Sequence, residues 1–285
     1  MIHAKGDADI LIVKTAVESV KVVNTVLIGD DTDLLILLCY HGDAIEKDLL
    51  LKPEIKANTK KHKVWNIKKT QEILGKKICS RLLFVHALFG CDTTSRVFGI
   101  GKPVALKQVQ NNVDFQQLAD LFTKEGAAKK DIIDAGEKAL VYIYNGKKGE
   151  GIDVLRYKRF CEKVAKSRTF VEPQTLPPTS AATQYRSLRV YFQIQTEKET
   201  AGQLKPEEWG WKITDGQLLP VQTHLPAAPE KLTKIFRCNC KTGCSTSRCT
   251  CKRIPIDCTW MCGVCKGVSC ANSSRVEIDD SSDTD

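Results

Sequence analysis

The chain has 285 residues, 42% hydrophobic and 27% charged, with a formal net charge of +9. That is ordinary for a globular chain of one large or two smaller domains. No apolar run reaches the ~18 residues that a membrane span requires, and the positive balance leans toward an acidic partner such as nucleic acid, although a solvated lysine surface gives the same charge.

Taken in chain order, residues 1–170 predict an α/β unit. "ADILIVKTAVESVK" carries apolar residues at helical spacing, and "NTVLIGD" is a short buried strand ending in Gly and Asp. "DLLILLCYH" is apolar all round and therefore buried. "DLLLKP" and "KVWNI" are further strand candidates, and "RLLFVHALFG" is a buried helix stopped by Gly90. Amphipathic helices follow in "PVALKQVQ", "FQQLADLFT", "KKDIIDAGEKALVYIY" and "IDVLRYKRFCEKVAK". Strands alternating with helices predict a sheet with flanking helices. Residues 171–235 start with the Pro-rich "VEPQTLPPTS" and are expected to be linker and irregular chain around one helix, "AATQYRSLRVYFQIQ". Residues 236–272 are cysteine-rich, and 273–285 form an acidic tail expected to be disordered. The N-terminus lacks a signal-peptide pattern, since Asp7 and Asp9 interrupt any apolar core. An intracellular chain keeps its thiols reduced, so clustered cysteines favour metal over disulfides.

Three acidic motifs sit at the ends of apolar runs: Asp7 and Asp9 in "GDADIL", Asp30, Asp31 and Asp33 in "IGDDTDLL", and Asp92 in "FGCDTT". In open α/β sheets such ends are where sites form. Carboxylates brought together repel, and hard cations such as Mg²⁺ or Mn²⁺ offset that repulsion. Two such ions about 3.5–4 Å apart can activate water and stabilise a leaving phosphate oxygen. Each motif taken singly is also an ordinary helix N-cap. "GIGKPVALK" then predicts a turn into a helix, with Gly99 and Gly101 allowing close backbone approach and Lys102 opening the helix.

This order of motifs resembles the flap endonuclease family within the PIN-like nuclease fold. The resemblance implies Asp7, Asp9, Asp31, Asp33 and Asp92 as catalytic metal ligands, and Gly99, Gly101 and Lys102 as a DNA-gripping helix-hairpin-helix. "GDDTDLLILL" and "HALFGCDT" are also similar to uncharacterised PIN-like proteins associated with animal transposable elements. The family begins with a central strand carrying a further catalytic Asp, whereas the first motif here already falls at Asp7. The expectation is an incomplete PIN-like sheet with flanking helices, weak or inactive as a nuclease.

The cysteines of the C-terminal segment are Cys238, Cys240, Cys244, Cys249, Cys251, Cys258, Cys262, Cys265 and Cys270, spaced C-x-C-x3-C-x4-C-x-C-x6-C-x3-C-x2-C-x4-C. Thiolates favour tetrahedral Zn²⁺. Nine do not divide into four-cysteine sites, but six terminal and three bridging thiolates satisfy three zinc ions. The pattern resembles the tesmin-type CXC domain and the cysteine-rich modules that precede some histone methyltransferase domains. Two loop spacings depart from that family, and the count of nine survives. The resemblance implies DNA binding, for which Lys234, Arg237, Lys241, Arg248, Lys252, Arg253 and Lys266 face one acid, Asp257. Arg248 stands where many members carry a Tyr that enters the minor groove, a place Arg can also take. Nine thiolate charges outweigh the six positive charges of three Zn²⁺, so the module is less basic than its Lys and Arg suggest. A structural or protein-binding zinc module is the competing reading.

Of the other cysteines, Cys39, Cys79 and Cys161 read as buried or half-buried thiols and Cys91 as core or site-adjacent. His86 reads as a core histidine, and Trp209 and Trp211 as packing residues. Together these features predict a nuclear, DNA-binding zinc protein of transposon origin with a divalent-metal nuclease-type domain. The alternative is a non-enzymatic regulatory factor whose α/β part binds protein partners.

Overall fold

A computed structural model describes residues 8–42, 47–54, 64–166, 171–202, 204–223, 238–241, 243–253, 257–258, 262–268 and 270–273. Asp7, Lys234, Arg237 and the tail beyond 273 lie outside the described residues. The chain divides into two compact units, Met1–Ile152 with Ser180–Gln222, and Asp153–Thr179 with Thr223–Asp285.

The first unit opens with α1 (Ala8–Val20), which buries Val13, Ala16 and Val20 along one face. β1 (Thr25–Ile28) runs parallel to β2 (Leu49–Lys52), in register from Thr25 opposite Leu49 to Ile28 opposite Lys52. β2 also pairs antiparallel with β3 (Trp65–Asn66), giving the order β1-β2-β3. Leu49 and Leu51 of β2 point inward, while Val26 and Ile28 of β1 are exposed. α2 (Thr32–His41) joins the parallel pair and buries Leu34, Leu37, Leu38 and Cys39.

α3 (Ile67–Leu74) and α4 (Lys76–Cys79) lead into α5 (Leu82–Phe89), all eight residues of which are buried. A helix apolar on every side must be enclosed on every side. α5 packs against α2 and against three later helices, α6 (Lys102–Asn111), α7 (Val113–Thr123) and α10 (Ser180–Glu197). Phe84 of α5 meets Phe115 at 5.6 Å and Phe122 at 4.9 Å between ring centroids. α8 (Lys129–Ile143) packs along α10. The helix expected within a linker is therefore a core element of the first unit.

Residues 206–231 are expected to be irregular, yet within them β4 (Trp211–Thr214) and β5 (Gln217–Pro220) form an antiparallel hairpin. Asp215 (φ 50°) and Gly216 (φ 75°) make its two-residue turn. An Asp-Gly pair between two short apolar runs is the signal for such a turn. In the second unit, α9 (Ile152–Lys166) continues from the first, and α11 (Thr250–Arg253) is a single turn within the cysteine segment.

Candidate functional site

In the first unit, the ends of α2, α5 and α6 enclose a cleft of about 530 Å³ lined by Asp31, Asp33, Cys91, Asp92, Gly101 and Lys102 among others. Three of the five predicted aspartates thus meet the predicted turn. Asp9 is half-buried on α1 and is not in the lining.

Two of the three carboxylates are already engaged. The Asp31 side chain caps α2, accepting from the Asp33 backbone N–H at 2.9 Å. Asp33 Oδ1 accepts from Lys102 Nζ at 3.1 Å and lies 3.4 Å from His86 Nδ1. Asp92 is exposed. A pair of hard cations needs several free carboxylate oxygens. Here one acid is a cap, and another is neutralised by a lysine that Gly101 and the start of α6 carry into the cleft. Gly99 reaches φ 68° ahead of that turn, a conformation glycine adopts without strain. The donor set fits a lysine-compensated acid cluster better than a two-cation centre.

Behind the cleft wall lies a buried polar network that sequence reasoning missed. His86 is 2% exposed in the middle of α5, and its Nε2 is 3.4 Å from Glu197 Oε1 on α10. Glu197 is 1% exposed. Its Oε1 accepts from Gln193 Nε2 at 2.9 Å, and Thr93 Oγ1 donates to Gln193 Oε1 at 2.6 Å. Cys91 Sγ lies 3.3 Å from Thr93 Oγ1 and 3.2 Å from Thr94 Oγ1. Gly90 makes this loop: its φ is 112°, and a Cβ there would meet the Arg96 backbone at 2.8 Å. Burial favours a neutral His86 ring, but hydrogen bonds to Cys91 and Glu197 and the charges of Glu197 and Asp33 prevail, and its pKa is pushed up to about 10. Burial also opposes a Cys91 thiolate. Hydrogen bonds from His86, Thr93 and Thr94, with the His86 charge, outweigh it and hold that thiol below its usual value. The signal available beforehand was a lone polar residue inside "LLFVHALF"; Glu197 had none.

In the second unit, all nine predicted cysteines converge and none forms a disulfide. Cys238, Cys244, Cys249, Cys251, Cys258 and Cys262 are buried, with Cys240, Cys265 and Cys270 packed against them. Sγ–Sγ separations are 3.8 Å for Cys238–Cys244 and Cys238–Cys258, 3.7 Å for Cys249–Cys258 and 3.6 Å for Cys251–Cys262. A disulfide would need ~2.05 Å. A ZnS₄ tetrahedron with Zn–S bonds of ~2.3 Å has edges of ~3.8 Å, which these distances match. Among the described residues, four overlapping sets of four sulfurs each lie within 4.8 Å of one another, and Cys238 and Cys258 each belong to three of them.

Burial pushes the Cys238 and Cys258 thiols far above their usual range, as expected for crowded sulfurs that cannot ionise together without a cation. Cys249 and Cys265 are also opposed by burial, yet backbone N–H groups of Lys252 and Gly267 and the neighbouring thiols bring both down to about 7. Such N–H donors to sulfur orient metal-binding thiolates. Lys241, Arg248, Lys252 and Arg253 are exposed around the cluster, as is Lys266.

The molecule is thus a mixed helix–strand protein with a C-terminal cysteine cluster able to hold metal ions such as zinc. Compared with known protein families, curated proteins and solved structures, the chain matches none of them. Among the described residues, no helix is long and apolar enough to cross a membrane.

Proposed function

We propose that this is a nuclear DNA-binding zinc protein whose C-terminal segment is a tesmin-type CXC module, joined to a PIN-like α/β unit of transposon origin. The observation that carries the proposal is the matching of Sγ–Sγ spacings to ZnS₄ edges in a nine-cysteine cluster rimmed by exposed Lys and Arg. Three Zn²⁺ with bridging thiolates satisfy nine sulfurs, and the central positions of Cys238 and Cys258 suit bridging. When bound, zinc supplies fold and charge balance to the module. Lys241, Arg248, Lys252 and Arg253 contact phosphates, with Arg248 reaching into a narrow minor groove.

Fluorescence anisotropy on duplex DNA across a salt series tests this. Lys252→Ala and Arg253→Ala are expected to weaken binding across all sequences, each lowering the log–log salt slope by about 1. Zinc-loaded protein with no salt-dependent affinity for DNA would end the proposal.

A second reading, phosphodiester hydrolysis assisted by Mg²⁺ or Mn²⁺, is favoured by the convergence of Asp31, Asp33, Asp92 and Lys102 on one cleft. Because Lys102 and the α2 cap already engage two of these acids, the α/β unit serves as a binding platform for nucleic acid or protein rather than as an efficient nuclease. Mn²⁺-dependent cleavage of branched or single-stranded DNA that disappears in Asp33→Ala would reverse that assignment.

A further inference from the structure

We propose that His86 Nε2, Cys91 Sγ and a Glu197 carboxylate oxygen form a second, independent zinc site inside the α/β unit, separate from the cysteine cluster. It does not depend on the DNA-binding proposal. A ring nitrogen of His86, the Cys91 sulfur and a carboxylate oxygen of Glu197 lie within 4.8 Å of one another, contributed by α5, the loop after it and α10.

The hydrogen-bond arithmetic of the network leaves a place for a cation. Lys102 Nζ and His86 Nδ1 both face Asp33 Oδ1, at 3.1 and 3.4 Å. Lys102 Nζ also lies 3.3 Å from His86 Nδ1; in the tautomer that directs its Nδ1 proton at Asp33, the Nε2 lone pair faces Glu197 Oε1, and an acceptor meets an acceptor at 3.4 Å. Either a proton or a metal ion resolves that. A proton serves the Nε2–Oε1 contact alone, whereas an ion held by both carboxylate oxygens would also serve Glu197 Oε2, which is buried with no hydrogen-bond partner among the described residues. Such an orphan carries a desolvation cost of ~1–3 kcal/mol or more for a charged group. A divalent ion accepts Nε2, a carboxylate oxygen and the Cys91 sulfur together. Zn–N and Zn–O bonds of ~2.0–2.2 Å at the tetrahedral angle place N and O about 3.4 Å apart, the separation seen.

The surroundings are those of a ligand set held in place. A metal-bound His usually donates its other ring N–H to a carboxylate, here that of Asp33. The Gln193 amide orients Glu197, and Thr93 links Gln193 to Cys91. Mixed N, S and O donors select a borderline ion such as Zn²⁺ over Mg²⁺. Three protein ligands leave a fourth position for water, and Cys91, which lines the cleft, gives the ion its entry path.

X-ray absorption on the full chain purified with Zn²⁺ tests this without any variant. A shell of N/O neighbours at ~2.0–2.1 Å with imidazole scattering is expected beside the ~2.3 Å sulfur shell. Metal analysis of Cys91→Ser and Glu197→Gln should then show one zinc per chain fewer than wild type, with the sulfur shell kept. Should Glu197→Gln fail to fold, Cys91→Ser at its half-exposed position carries the comparison. An all-sulfur shell in the wild-type chain, or zinc content unchanged in Cys91→Ser, overturns the proposal.

Discussion

Thiol chemistry separates the cysteines outside the cluster. Cys39 is 2% exposed on α2, and burial, with the nearby Cys79, pushes its pKa up to about 12. Cys161 on α9, expected from the sequence to be buried or half-buried, is exposed. Because the thiolate is the nucleophile, iodoacetamide at pH 8 is expected to modify Cys161 in the native zinc-loaded chain and spare Cys39, as read by peptide mass spectrometry. The linkage follows the same shift. The folded state keeps the Cys39 proton above the unfolded value of 9.0, so the stability it contributes is present below about pH 9 and declines toward pH 12. Labelling of Cys39 at the rate of Cys161 would mean that α2 opens readily. At this scale the sequence revealed half of the site. Asp31, Asp33 and Asp92 were legible because each ends an apolar run, and such ends gather in one cleft. The capping of α2 by Asp31 was legible as well, being local, but the pairing of Asp33 with Lys102 was not, because the two lie 69 residues apart. His86 was read as a core histidine, which its burial agrees with. Its partner Glu197 sits on a helix far along the chain, and no local pattern announces that pairing.

Between elements, Gly136 of α8 stands hard against α10. A Cβ added there would stand 1.9 Å from Ser187 Oγ and 2.6 Å from Ser187 Cβ. Ser187 is buried, and its hydroxyl donates to Thr183 O at 2.8 Å, so it cannot turn aside without losing that bond. Gly136→Ala is therefore expected to cost about 1–3 kcal/mol through overpacking, despite the gain in helix propensity. Adding Ser187→Gly should restore part of the loss, giving a double variant more stable than the sum of the single effects, measured by denaturant unfolding. Full additivity would show that the helices part without strain. Helix existence was legible from periodicity in α6, α7, α8 and α10. That α10 belongs to the core of the first unit was not, since its apolar residues share a face with Gln193, Gln195 and Glu197, all buried. The β4–β5 hairpin was legible in "KITDGQLL" but masked by the prolines and tryptophans around it.

The two units draw their stability from different sources, and this separates their responses to metal removal. The first unit encloses α5 with leucine and phenylalanine from helices distant in sequence. Among the described residues the cysteine cluster has no such core: its buried members are six cysteines, and the residues packed against them are three more. Without a cation those sulfurs bury few contacts of value and crowd polarisable groups that cannot ionise together. Metal binding is then the folding energy of the segment, as it is in small zinc modules generally. Excess chelator is expected to collapse the amide dispersion of residues 238–273 and expose that segment to protease, and the rest of the chain should still melt cooperatively. Acid should act in the same direction, because protons compete with zinc for the thiolates. Readdition of Zn²⁺ should restore the dispersed signals. If the cysteine segment kept its native amide spectrum in excess chelator, its fold would rest on contacts other than metal, and the zinc assignment would fall with it.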